Sequence, residues 1–299
     1  MRIARILDDR SPLPALALER DGALYDVGEL DRRRSARDST QSSGRARSSL
    51  TLPSSDFFTR VIALGGPGLA ELDERLRFGD RPTEARLSAG SFVWLPPCDV
   101  DRALHVVVTA DASGHPRCAV GDARGLVGHG ERIPIPVAGG LPAPDDAHVQ
   151  LAIGTLLRDD LSRATADEAA GAMLGHAIVG LWGELSAQLG PVLVTREELA
   201  ELEVLRAQIR IDGKVVEDGR VGPLPFAVEE AIAFASQRVP LRAGDLITVA
   251  CAGAAGSQAA PIALGARVDL LIEDLGKLSA TPVRGAAPIA WRRGPRREG

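Results

Sequence analysis

Short alternating segments dominate the hydrophobic pattern and predict a chain built mainly of β-strands. Residues 146–154 alternate apolar and polar side chains, which places Val149 and Leu151 on one face of a strand and His148 and Gln150 on the other. Two explanations stay open for this polar pair. It is either a solvent-facing strand surface or a pair of side chains that binds a ligand, although hard cations prefer carboxylates.

The same kind of pattern predicts the other elements. Further strands are predicted at 15–18, 23–27, 92–95, 104–109, 133–137, 205–211, 246–251 and 268–272, and helices at 54–79, 166–189 and 225–238. Asp21-Gly22 between the first two of these strands is a hairpin signal, and Gly65 to Gly68 interrupts the first helix. Many short strands with few helices predict an α+β chain in which helices cover a rolled or sandwiched β structure.

Composition narrows the class of protein. The 299 residues are 45% hydrophobic and 25% charged, as in globular proteins generally, and the net charge of -5 argues against a basic nucleic-acid binder. We find no apolar run of membrane-spanning length and no secretory signal in the first residues. Three scattered cysteines fit a reducing compartment. We therefore expect a cytoplasmic protein that binds neither nucleic acid nor membrane.

Residues 31–50 form a segment rich in arginine and serine with no apolar period. Such runs are usually solvated linkers. The alternative is that Arg32, Arg33 and Arg34 attract an acidic partner or ligand, because clustered positive charge steers anions.

The second half of the chain resembles the fumarylacetoacetate hydrolase family over most of residues 103–283. The fragments that carry the resemblance are GPVLVTREEL at 190–199, IDGKVV at 211–216, GDLI at 244–247 and residues 264–283. The resemblance implies an α+β fold with a mixed β-roll and a homodimer. It divides the chain into a small N-terminal domain at 1–90, a β-roll domain at 91–290 and a basic tail at 291–299.

The resemblance also implies where the site lies. The family binds Mg²⁺ or a similar cation with two glutamates two residues apart and an aspartate from the next β-segment, and these positions fall on His148, Gln150 and near Leu181. Cys251 stands at the threonine of the substrate loop, and His115 is the remaining histidine near the expected catalytic pair. The chain thus departs from the family at each of these positions, and we expect no metal and no cofactor.

Two interpretations follow, and whether the protein is an enzyme stays open between them. The leading one is a pseudoenzyme that binds a peptide, such as a precursor in natural-product biosynthesis, by strand addition or in an opened groove. The residues predicted to bind the ligand are His148, Gln150, Leu181, Cys251, Arg32, Arg33 and Arg34.

The alternative is a rebuilt active site. It would be a metal-independent or re-purposed hydrolase, isomerase or decarboxylase of a small keto acid in secondary metabolism. His148, Gln150 and Cys251 could form a metal-free site, or His148, His176 and Cys251 a site for a softer metal.

Overall fold

The structure is a computed structural model that describes residues 1–9, 13–33, 70–79, 81–135, 146–182, 186–199, 201–251 and 261–285. Several predicted features lie outside the described residues: Arg34 and the rest of the basic segment, the first part of the helix predicted at 54–79, the residues after Cys251 and the basic tail.

Strands make up most of the described chain. The first nine are β1 (Arg2–Asp8), β2 (Ala15–Arg20), β3 (Ala23–Asp26), β4 (Phe92–Leu95), β5 (Leu104–Ala110), β6 (Pro116–Asp122), β7 (Leu126–Val127), β8 (Arg132–Ile135) and β9 (Asp146–Ala147). They are followed by β10 (Gln150–Leu157), β11 (Met173–Trp182), β12 (Ser186–Thr195), β13 (Arg206–Ile211), β14 (Lys214–Arg220), β15 (Leu246–Ala250), β16 (Ile262–Ala263), β17 (Val268–Ile272) and β18 (Gly276–Arg284). The helices are α1 (27–33), α2 (70–77), α3 (Ala166–Gly171) and α4 (Val228–Ser236).

Two large sheets organise these strands. The eleven-stranded sheet has the order β3-β2-β1-β12-β11-β10-β15-β5-β6, with β4 beside β1 and β7 beside β12, and the five-stranded sheet has the order β14-β13-β17-β18-β8. A third, two-stranded sheet joins β9 and β16. Most pairs are antiparallel, whereas β15 with β5, β12 with β7 and β18 with β8 are parallel. The chain therefore has the predicted α+β class, with mixed sheets and few helices.

Three apolar cores pack against the faces of the eleven-stranded sheet. The first lies between the two large sheets and joins Leu151 and Ile153 to Leu270 and Leu278. The second contains Ala152, Leu156, Leu193 and residues of α1 and α2, and the third packs α4 against β15. Alternate residues of β10 thus enter different cores, which is why its whole length after Gln150 is buried.

The predicted hairpin and several predicted elements are confirmed. Asp21 and Gly22 have φ of 50° and 74°, the positive values that a two-residue hairpin turn of type I′ requires. The strands predicted at 92–95, 104–109, 205–211 and 268–272 are present, as is the helix near 225–238.

The helix predicted at 166–189 is wrong beyond Gly171. The chain continues as β11 and then β12, both buried almost throughout. β11 lies between β10 and β12 with apolar cores on both faces, so its sequence shows no alternation of period two. Without that alternation, a continuous apolar run is easily mistaken for a helix.

The prediction of an unstructured segment starting at residue 31 is also wrong at its beginning. α1 extends to residue 33, and Arg32 and Arg33 lie in its last turn. Arg32 Nη2 lies 2.7 Å from Glu29 Oε2, and Arg33 contacts both Glu29 and Glu84, at 3.0 and 3.1 Å. These two cations are thus paired within the chain, and their attraction of an acidic partner or ligand stays a prediction.

No helix within the described ranges is long and apolar enough to cross a membrane.

Candidate functional site

Three of the predicted site residues lie where β11 and β15 end and β10 begins. Gln150 is the first residue of β10 and lies directly opposite Leu181 of β11, and both are half-buried. Cys251 follows β15, and its backbone N–H donates to the Leu151 carbonyl at 3.0 Å. The register of the central sheet therefore brings these three backbone positions together, with Gln150 and Leu181 on one face and the Cys251 side chain in the core on the other face.

His148 lies beside this group but outside the sheet. The strand predicted at 146–154 is interrupted, because β9 ends at Ala147 and β10 begins at Gln150. His148 and Val149 are the two residues between these strands; Val149 is buried, whereas His148 is exposed. The explanation of a half-exposed strand is therefore wrong for residues 150–157, and the exposed imidazole stands at the rim of a buried strand end.

Cys251 is fully buried and packs into the core between the sheets. Burial raises the pKa of its thiol to about 12. The thiol is therefore protonated at neutral pH, and a thiol without its thiolate is a poor nucleophile and a poor metal ligand. Cys251 contributes packing behind Gln150 rather than covalent chemistry.

His176 is not part of this site. It lies opposite Thr155, five positions along the ladder from the Gln150–Leu181 pair, which is about 17 Å at the usual rise per strand residue. Its Nδ1 is 2.9 Å from Thr155 Oγ1, and burial, with a smaller effect of Arg196, lowers its pKa to about 4. The hypothesis of a softer metal held by His148, His176 and Cys251 is therefore wrong.

His115 is not part of this site either. It lies in the turn between β5 and β6, where its side chain is exposed and its backbone N–H donates to Asp111 Oδ1. It is a surface residue of that turn.

The site residues do not fit a hard cation. An imidazole, an amide and a leucine side chain replace the oxygen donors that such an ion needs. The described part of the chain contains no group of three His, Cys, Asp or Glu side chains placed to hold a metal ion. The expected absence of a bound divalent cation stays a prediction.

A buried glutamine next to the site was not singled out from the sequence. Gln188 of β12 is fully buried, and its Nε2 donates to the carbonyls of Gly128, at 2.8 Å, and Ser279, at 2.6 Å. It thereby joins the eleven-stranded sheet to β18 of the five-stranded sheet. Its neighbour Ala187 lies opposite Leu181. The available signal was a single polar residue inside the apolar run of 187–194.

Comparisons with known sequences support the family. The model described as fumarylacetoacetate (FAA) hydrolase C-terminal matches residues 183–283. A protein named oxaloacetate tautomerase from Bacillus subtilis is 28% identical over 99 residues, 32% of this chain and 33% of that protein. A human mitochondrial protein of the same name is 34% identical over 91 residues, 29% of each chain. The match thus spans about a third of the length of these relatives.

Comparisons with solved structures extend the likeness to the whole fold. The maleylpyruvate hydrolase of Sphingobium sp. SYK-6, solved with manganese(II) and pyruvate, has a TM-score of 0.69 at 16% identity, covering 96% of this chain and 100% of that chain. The fumarylacetoacetate hydrolase of Exiguobacterium antarcticum has a TM-score of 0.66 at 16% identity with the same coverage. The fold is therefore the fumarylacetoacetate hydrolase-like fold, and the sequence matches support a place in that family.

These comparisons contradict the leading functional prediction. Several of the similar proteins are named for enzymes that act on small organic acids: tautomerases, a hydrolase and isomerases. A non-catalytic peptide-binding protein has no counterpart among them. The alternative prediction, an enzyme of a small keto acid, agrees with them better.

Proposed function

We propose that this protein is an enzyme that moves a proton within a small 2-oxo acid, as in keto–enol tautomerisation or isomerisation. The observation that carries the proposal is the strand end where exposed His148 stands beside half-buried Gln150. Its sequence relatives are named oxaloacetate tautomerases, which makes a 2-oxo dicarboxylic acid the first substrate to test.

Proton transfer is the chemistry that these side chains can perform. Tautomerisation moves one proton between carbon and oxygen and needs no net reactant, so one group that accepts and returns a proton is sufficient. The His148 imidazole can do both, and the Gln150 amide can donate a hydrogen bond to the enolate oxygen. Leu181, on the same face of the sheet as Gln150, supplies an apolar neighbour, and a hydrogen bond beside it is stronger than in water.

The test is an ultraviolet absorbance assay of enol-to-keto conversion of oxaloacetate, with EDTA present in one arm and Mn²⁺ in another. We expect acceleration over the spontaneous reaction in both arms. His148→Gln should lower kcat by about 100-fold or more, the usual scale of general acid–base catalysis. Gln150→Leu should reduce kcat/KM as well, because it removes the hydrogen bond to the enolate.

His115→Gln is the matched control, since it makes the same exchange at an exposed histidine of another loop, and it should retain full activity. Maleylpyruvate serves as a second substrate. Turnover only with Mn²⁺ would contradict the metal-free chemistry, and no acceleration with any 2-oxo acid would contradict the proposal as a whole.

A further inference from the structure

His129 closes part of one edge of β18 with a side chain instead of a strand. β8 pairs in parallel with the last four residues of β18. Backbone hydrogen bonds extend this pairing towards the start of β18. The Thr281 N–H donates to the Glu131 carbonyl at 3.3 Å, and the Gly130 N–H donates to the Ser279 carbonyl at 2.8 Å. The next donor on this edge, the Ser279 N–H, donates to His129 Nδ1 at 3.2 Å. The imidazole therefore takes the place of a strand carbonyl.

This last hydrogen bond requires a neutral imidazole. Nδ1 accepts a hydrogen bond only while it carries a lone pair, so the neutral ring of His129 has its proton on Nε2. Protonation of the ring adds an N–H at Nδ1 that faces the Ser279 N–H. Two donors then oppose each other and the hydrogen bond is lost. The contact thus depends on the charge of one side chain.

The charged groups around His129 belong mainly to the five-stranded sheet. Burial lowers the pKa of the imidazole, and the cations of Lys277 and Arg267 act in the same direction. The Lys277 carbonyl and the Asp269 carboxylate act in the opposite direction, but with smaller effect than burial. His129 is therefore neutral at neutral pH and becomes charged only below the ordinary histidine range.

The segment that carries His129 also links the two large sheets. On its far side the imidazole meets the Trp94 ring, with 5.6 Å between the ring centroids, and β4 has no titratable side chain. Within the segment, the Glu131 carboxylate lies beside Gly128. The Gly128 carbonyl accepts a hydrogen bond from Gln188 of the eleven-stranded sheet at 2.8 Å. Whatever holds residues 128–131 in place therefore also supports the contact between the sheets.

We infer that His129 is a pH-sensitive switch: its neutral imidazole holds residues 128–131 against β18, and its protonation releases that segment from the strand. The folded state binds this proton less readily than the unfolded chain does. The stabilisation from the contact is therefore complete above the ordinary histidine range and is lost as pH falls. The switch goes beyond the proposed reaction, because His148 and Gln150 take no part in it.

The test is amide hydrogen exchange of the full chain, followed by mass spectrometry at about pH 8 and about pH 5, with each rate divided by the intrinsic rate at that pH. His105 and His176, whose pKa values are about 4, stay mostly neutral over this range. In the wild type, protection of the peptides that contain residues 128–131 and Ser279 should fall about 2- to 10-fold at the lower pH, the effect of losing one hydrogen bond. A peptide from β13 should keep its protection, because the change is local.

Variants assign the effect to the imidazole. His129→Gln supplies an amide carbonyl that can accept from the Ser279 N–H at any pH, so protection should be equal at the two pH values. His129→Phe removes the acceptor, so protection should be low at both. His115→Gln is the matched control at an exposed histidine and should behave like the wild type.

Three results would overturn the inference. One is equal protection of the wild-type peptides at the two pH values. Another is a loss in acid that the β13 peptide shares, because that loss is unfolding of the whole sheet. The third is a His129→Gln protein that loses protection in acid as the wild type does. The first two need no variant, so the test remains decisive even if the His129 variants do not fold.

Discussion

Replacing Gln188 should show how strongly the two large sheets depend on one side chain. Its Nε2 donates to two carbonyls, those of Gly128 and Ser279. The Ser279 carbonyl also accepts the Gly130 N–H at 2.8 Å and keeps that bond. In Gln188→Met, the main loss is therefore an unsatisfied Gly128 carbonyl, which costs about 1–3 kcal/mol of unfolding free energy.

Part of that cost is offset, because Gln188 Oε1 is itself buried without a partner and methionine removes it. Gln188→Glu should be worse. A carboxylate cannot donate to either carbonyl, and a buried unpaired charge costs about 3–5 kcal/mol. Burial raises the pKa of such a carboxyl, so its folded state binds more protons than its unfolded state. The stability of this variant should therefore fall as pH rises through and above the ordinary glutamate range.

The assay is urea unfolding followed by circular dichroism at pH 5 and pH 8, with Gln237→Met at an exposed position as the control, expected within about 0.5 kcal/mol of wild type. Gln188→Met should lose a similar amount at both pH values, whereas Gln188→Glu should lose more at pH 8. A Gln188→Met protein as stable as the control, or a Gln188→Glu protein with no pH dependence, would refute the reasoning.

Three further predictions concern packing, pH and assembly. Gly154→Ala would place a Cβ 2.7 Å from Val179 Cγ2 and should lower the free energy of unfolding, measured with denaturant, by about 1–3 kcal/mol. Gly121→Ala is the control and should leave that free energy unchanged, because the space around its Cβ is open. Equal effects of the two substitutions would contradict this prediction. Burial lowers the pKa of both His105 and His176 to about 4 from 6.5, so the folded state binds fewer protons. Stability should be complete above pH 6.5 and fall as pH drops towards 4, and unfolding free energies unchanged between pH 7 and pH 4.5 would count against it. We also expect a homodimer, from the family resemblance, and light scattering at micromolar concentration that gives a monomer mass would exclude it.

Local patterns predicted the elements whose burial differs between their two faces or whose turns require special residues. The hairpin at Asp21-Gly22 is of this kind, because its turn chemistry is local. α4 is another, since its apolar side packs against β15. The first six residues of the helix predicted at 166–189 were also correct in type, and the capping box of Thr165 and Glu168 fixes the start of this helix.

The remaining elements and the arrangement of the site depend on tertiary contacts, which local sequence patterns do not show. β11 could not be recognised from alternation because both of its faces are buried. The contact of Gln150 with Leu181 needs the register of two antiparallel strands, which only the family resemblance supplied. Arg5 is a further case, because an arginine among apolar residues is typical of a solvent-facing strand position, whereas tertiary packing leaves only 9% of its surface exposed.

The pairing of β1 sets an order on the assembly of the newly made chain. One edge of β1 is completed by β2, but the other is shared between β4, opposite Arg5 to Asp8, and β12, opposite Arg2 to Ala4. The N-terminal residues are synthesised first. The start of β1 therefore remains unpaired on this edge until β12, residues 186–195, has left the ribosome. Contacts so distant in sequence form slowly. The central sheet therefore closes only late in synthesis, and a chain interrupted before residue 186 would leave part of a strand edge open to other chains.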